Sequence, residues 1–188
     1  MNYLVKVADP YVLGSVTWTI LVIIGIYEWR QKTKQKQKDK DFLFIAKTIR
    51  PTFKTEIVSF FKSSKDATKP IDVFYNFMDD KNQVLTIDWK GEENEGEIET
   101  FIESLNHEQI KWTKVNELRA GQLKRKYSDD KFIIKLLRSI DIDLQNINTR
   151  LLFLNIDGDS YVFTTVDTET YKKVLDNLGK EFYGVEKL

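Results

Sequence analysis

The chain has 188 residues, with 29 Lys and Arg, 29 Asp and Glu, one histidine and no cysteine. The lack of cysteine excludes disulfides, thiolate nucleophiles and cysteine-based zinc or iron–sulfur sites. The zero net charge hides an asymmetry: seven basic against three acidic residues in 1–40, and 22 against 26 in 41–188, so the larger part has no general electrostatic claim on nucleic acid.

Residues 1–10 read as a short extracytoplasmic N-terminus, because residues 11–29, YVLGSVTWTILVIIGIYEW, predict a transmembrane helix. Eighteen of these nineteen residues are uncharged, and Glu28 stands near the end. Nineteen helical residues cover about 28 Å, close to the hydrocarbon thickness of a bilayer. Asp9 and Pro10 suit a helix start. Tyr11 at one edge, with Tyr27 and Trp29 at the other, suit the membrane interface. Competing readings are a buried core helix and a cleaved signal peptide. Apolar residues on every face count against the first, and GIYEWRQ lacks the small-residue pattern of a cleavage site.

Residues 30–41 form a basic juxtamembrane stem. Arg30, Lys32, Lys34, Lys36, Lys38 and Lys40 face only Asp39 in opposition. They fix topology or touch anionic lipid. By the positive-inside rule the N-terminus lies outside and the rest in the cytoplasm, which predicts a single-pass cell-membrane protein with the lipid bilayer as a partner.

From residue 42 the pattern turns α+β. Phe42, Ile45, Ile49, Phe53, Ile57 and Phe61 make a helical stripe that Pro51 should kink or divide. Residues 71–78 and 83–89 predict a β-hairpin around Asp79-Asp80-Lys81-Asn82. The acidic run Glu92, Glu93, Glu95, Glu97, Glu99 and Glu103 leads into a helix carrying Ile98, Phe101, Ile102 and Leu105. Ile110, Trp112 and Val115 predict a third strand.

The same order recurs after a basic connector at 116–128. Ser128 suits a cap for a helix with Phe132, Ile133, Leu136, Leu137 and Ile140. Residues 151–156 and 161–166 predict a hairpin around Asp157-Gly158-Asp159-Ser160, since Asp-Gly is a strong tight-turn signal. A helix at 168–178 and a strand at 182–185 follow. The expected fold is thus a transmembrane helix plus an α+β cytoplasmic domain. Two helix–strand–strand–helix–strand repeats, 42–115 and 129–188, form a mixed, mainly antiparallel sheet with helices on one face.

Motifs for chemistry are sparse. His107 stands alone, no GxSxG elbow or HExxH spacing occurs, and neither phosphate-loop pattern is present. Asp79, Asp80, Asp141, Asp143, Asp157 and Asp159 all fall at expected turns, where Asp is favoured by local hydrogen bonding. One basic patch, Arg119, Lys124, Arg125 and Lys126 with Lys131 and Lys135 beyond, suits nucleic acid or a membrane surface. No cofactor and no metal is expected. The leading expectation is a non-enzymatic, membrane-anchored protein-binding module, a component of a membrane assembly or an immunity or exclusion factor. A second copy of the chain is a further candidate partner. Alternatives are a carboxylate- or metal-dependent hydrolase, and a nucleic-acid binder acting through 119–135.

Overall fold

The computed structural model describes residues 10–63, 69–106, 108–123 and 131–188, with the side chains of 10–21, 38, 42, 122 and 123 outside that description. The chain divides into two compact units, Met1–Lys40 and Asp41–Leu188. One helix, α1 (Pro10–Thr48), runs through the first and ends in the second.

Among the described residues no helix is long and apolar enough to cross a membrane. The expected span at 11–29 is corrected on that ground. Glu28 and Arg30 then close the apolar run. The single-pass anchor, the outside N-terminus and the cell-membrane placement lose their basis with it. The remaining part of the expected span, residues 11–21, lies outside the described side chains.

In the second unit α1 ends at Thr48, and Pro51 does divide the apolar stripe. A 3-10 turn at Pro51–Phe53 leads into α2 (Lys54–Ser63). Arg50, just before the proline, takes φ −138° and ψ 75°, away from the helical region that the proline ring disfavours. Next comes α3 (Pro70–Asp80), where a hairpin arm was expected. Its residues are β-branched and aromatic, but Ile71, Phe74 and Met78 recur at spacings of three and four and are all buried. Pro70 occupies the first helical position, where its missing N–H costs nothing. Spacing won over composition.

Strand β1 (Leu85–Asp88) therefore has no hairpin partner next to it in sequence. Two helices follow, α4 (Glu97–Leu105) and α5 (Thr113–Leu123), and α5 replaces the third strand expected around Val115. Then come α6 (Phe132–Gln145), β2 (Thr149–Leu154), β3 (Ser160–Asp167), α7 (Thr168–Leu178) and the two-residue β4 (Phe182–Tyr183). The β2–β3 hairpin falls where the Asp-Gly turn predicts it. A two-unit repeat is not what the chain forms, because the first half contributes helices where the second contributes strands.

The sheet has four strands in the order β1-β3-β2-β4, and every pairing is antiparallel. The expected mixed sheet of two repeats is corrected to this. Helices also cover both faces rather than one. Buried residues of the α1 end, α2, α3 and α7 pack with Leu152, Leu154, Val162 and Val166 on one side. Those of α4, α5 and α6 pack with Ile87, Leu151, Phe153 and Phe163 on the other. This explains why RLLFL and YVFTTV lack apolar–polar alternation: each has a core on both sides. Phe153 and Phe163 are fully buried, and each stabilises the fold by about 1.5–3 kcal/mol through burial alone.

Candidate functional site

Four groups of polar and aromatic side chains stand out in the second unit. The first is built around Arg150. Its Nε donates to both carboxylate oxygens of Asp141, at 3.1 and 3.0 Å, and its Nη2 to Glu186 Oε1 at 2.7 Å. Its guanidinium carbon lies 4.2 Å from the Tyr171 ring centroid, and the Tyr171 hydroxyl donates to Glu186 Oε2 at 2.8 Å. Burial, reinforced by the hydrogen bond to Glu186, pushes the Tyr171 hydroxyl pKa far above its ordinary value. For Glu186 burial acts to raise the pKa. Its own backbone N–H, Tyr171 and Arg150 outweigh that and hold the carboxyl below its usual range.

The carboxylate of Asp141 also accepts from Leu151 N at 2.9 Å. That N–H lies on the edge of β2 that β4 is too short to cover, since β4 pairs only with Phe153 and Leu154. Asp141 thus closes a sheet edge and neutralises a cation together. Gly184 passes so close to Tyr171 and Glu186 that a Cβ there would overlap both side chains.

The second group is built on Arg119. It forks onto Glu99 through Nε and Nη2, both at 2.9 Å, and Nη2 also reaches Glu92 at 2.7 Å. Glu92 Oε1 accepts from Ile98 N at 3.1 Å, in the first turn of α4, where N–H groups lack helical partners. Burial raises the pKa of Glu99 despite the arginine beside it. Asp143 plays a similar part at a distance. Its carboxylate accepts from Lys114 N and Val115 N at 2.8 and 3.1 Å, capping α5 from α6. Arg50, by contrast, gives one hydrogen bond from Nη2 to Thr164 Oγ1 at 2.8 Å, its Nε is buried without a partner, and burial lowers its pKa.

The remaining two groups line clefts. One lies between α2 and α3, about 410 Å³ in volume, lined by Glu56, Phe60, Phe77, Asp80 and Lys81 among others. Lys81 pairs there with Glu56 at 2.7 Å and lies 5.9 and 5.7 Å from the Phe53 and Phe77 ring centroids. The other opens at the hairpin end of the sheet, about 570 Å³, lined by Trp89, Tyr161, Tyr183, Asn155, Ile156, Gly158, Asp159 and Ser160.

Strand register builds this second cleft. Phe163 lies opposite both Leu85 and Phe153, and Phe153 lies opposite Tyr183. One row of large side chains therefore crosses all four strands. The rings of Phe153 and Tyr183 stack at 5.2 Å with 21° between planes, which fixes the Tyr183 ring. Tyr161 lies opposite Ile87, and Asp88 opposite Ser160. Trp89 follows directly and is 51% exposed. The row is buried at Phe163 and Phe153 and ends on the half-buried Tyr183, while Tyr161, in a different register row, is half-buried too.

The residues singled out from sequence fare differently. Tyr27, Trp29, Arg30, Lys32, Lys34, Lys36 and Lys40 are exposed on α1, while Tyr11 and Lys38 lie outside the described side chains. Arg119 is no open contact, being held by Glu92 and Glu99. Lys124, Arg125, Lys126 and His107 lie outside the described residues. Asp141 and Asp143, expected at a turn, are buried on α6, and Asp79 and Asp80 end α3. Asp157 pairs with Lys69 at 2.6 Å across exposed surface. Among the described residues no three His, Asp or Glu side chains converge to hold a metal. Sequence reading missed the cleft. Its three aromatic residues were each visible at the end of an expected strand, but only the strand order brings those ends together.

Residues 44–185 match the family model described as a domain of unknown function, DUF6630, and the chain belongs to that family. No curated protein and no solved structure matches it.

Proposed function

We propose that the Asp41–Leu188 unit is a protein-binding module, non-enzymatic, whose contact surface is the cleft of Trp89, Tyr161 and Tyr183. The observation that carries this is Trp89, half exposed beside two tyrosines at the mouth of a 570 Å³ cleft. Tryptophan and tyrosine in partly enclosed pockets contribute disproportionately to protein–protein binding, because they bury much area with few torsions to immobilise. The stacked Phe153 holds Tyr183 ready, which lowers the entropic cost of contact.

The alternatives draw less support. A hydrolase needs carboxylates with open coordination in a cleft. Asp141 and Asp143 instead accept from backbone N–H groups, and Asp141 from Arg150 as well. A nucleic-acid face across 119–135 would start from Arg119, whose donors already meet Glu92 and Glu99.

The test is site-specific photocrosslinking from Ser160, at the cleft, and from Lys172, on α7, in the full chain. The expected result is one defined polypeptide crosslinked from Ser160 alone and lost in Trp89→Ala. Equal crosslinking from both positions, or a Ser160 crosslink indifferent to Trp89→Ala, would overturn the proposal.

A further inference from the structure

Resting on that binding-module reading, we infer that the cleft takes a cationic side chain, a lysine or arginine carried on a basic segment of the partner protein. Three aromatic rings and one carboxylate, Asp159, line it, and no Lys or Arg is among the lining residues. Aromatic faces are electron-rich and attract ammonium and guanidinium groups, most strongly where water is partly excluded. A neighbouring carboxylate adds a charge-assisted hydrogen bond.

Asp159 differs from the acids around it. Asp157, two residues earlier, is paired with Lys69, and Asp88 Oδ1 accepts from Lys90 N at 2.8 Å. Asp159 is exposed and makes no hydrogen bond or ion pair among the described residues. The molecule uses the same combination elsewhere with its own cations. Arg150 stacks on Tyr171 between Asp141 and Glu186. Lys81 lies over Phe53 and Phe77 beside Glu56. Trp89 itself already has Lys90 Nζ 5.6 Å from its ring centroid, so that ring accepts a cation. Residues 41–188 also carry four more acidic than basic side chains, which favours a basic partner at encounter.

Volume argues for a side chain with some flanking backbone rather than a small free amine, since about 570 Å³ lies within the range of ligand clefts.

The experiment uses the full chain and two eight-residue peptides, one with an Arg-Lys centre and one with citrulline and acetyl-lysine in their place. Binding is read from the Trp89 indole N–H resonance, assigned with Trp89→Phe. The basic peptide is expected to shift that signal, to weaken with added salt, and to bind about tenfold more weakly to Asp159→Asn. In Trp89→Ala, followed instead through the backbone amide resonances of Ser160 and Tyr161, the basic peptide should cause no shift while the remaining spectrum stays folded. Equal binding of the neutral peptide, or no effect of Asp159→Asn, would overturn the cationic occupant. So would silence from both peptides while the Trp89-dependent crosslink from Ser160 persists, and the binding-module reading would then stand without it. Loss of that crosslink's dependence on Trp89 would instead sink the module reading itself.

Discussion

The Arg150 nest and the Trp89 cleft are made of the same parts. Each combines aromatic rings with carboxylate at the margin of one sheet. In the nest the cation is internal, and Asp141, Tyr171 and Glu186 close around it. At the cleft Lys90 lies over the Trp89 ring and Phe153 stacks on Tyr183, while Asp159 is exposed and pairs with no cation among the described residues. The α2–α3 groove is intermediate, with Lys81 lying across its own aromatic wall. An aromatic–carboxylate set that holds an internal cation supports the fold. The set whose carboxylate is left without a cation is the one we propose as a contact for another chain.

Asp141→Ala strikes the nest hardest. It leaves a largely buried Arg150 and an edge N–H without their acceptor, with an expected loss of about 3–5 kcal/mol, read by urea unfolding. Gly184→Ala should cost about 1–3 kcal/mol, because the new methyl group must displace Tyr171 or Glu186; an unchanged midpoint would mean the loop shifts freely. Asp143→Ala removes the cap supplied to α5 and should cost about 1–2 kcal/mol.

Acid should loosen the nest as well. The Glu186 carboxyl lies below its ordinary 4.5, and Asp167, which caps α7, below its ordinary 3.8; burial opposes both shifts, and hydrogen bonds outweigh it. A depressed carboxylate stabilises the fold above its unfolded pKa, and that contribution is lost as pH falls through the lower folded value. Stability should therefore fall below about pH 4.5, more shallowly in Glu186→Gln. Smallest on stability is Trp89→Ala, within about 0.5 kcal/mol, though it should abolish partner contact. A large stability loss there would place Trp89 in the core and dissolve the comparison.

The second half of the chain was legible because its signals are local. Asp157-Gly158 marks the hairpin turn, and Asp167 caps α7 through Thr170 N at 2.8 Å. The first half misled because composition and spacing disagreed. Ile71, Val73 and Phe74 suit a strand by type, yet their burial follows a helical period. The cap of α5 is worse still, since Asp143 lies 29 residues from Lys114 and no local pattern announces it.

By itself, then, the sequence determined the α+β class, the break at Pro51, the β2–β3 hairpin and α7, because propensity, turn chemistry and capping act within a few residues. Tertiary structure decided the rest. β1 pairs with a strand some 75 residues away, helices cover both sheet faces, and acids that read as turn residues became caps and counter-ions. Only that folding brings Trp89, Tyr161 and Tyr183 to one cleft, since their nearness is a property of strand order and not of spacing along the chain.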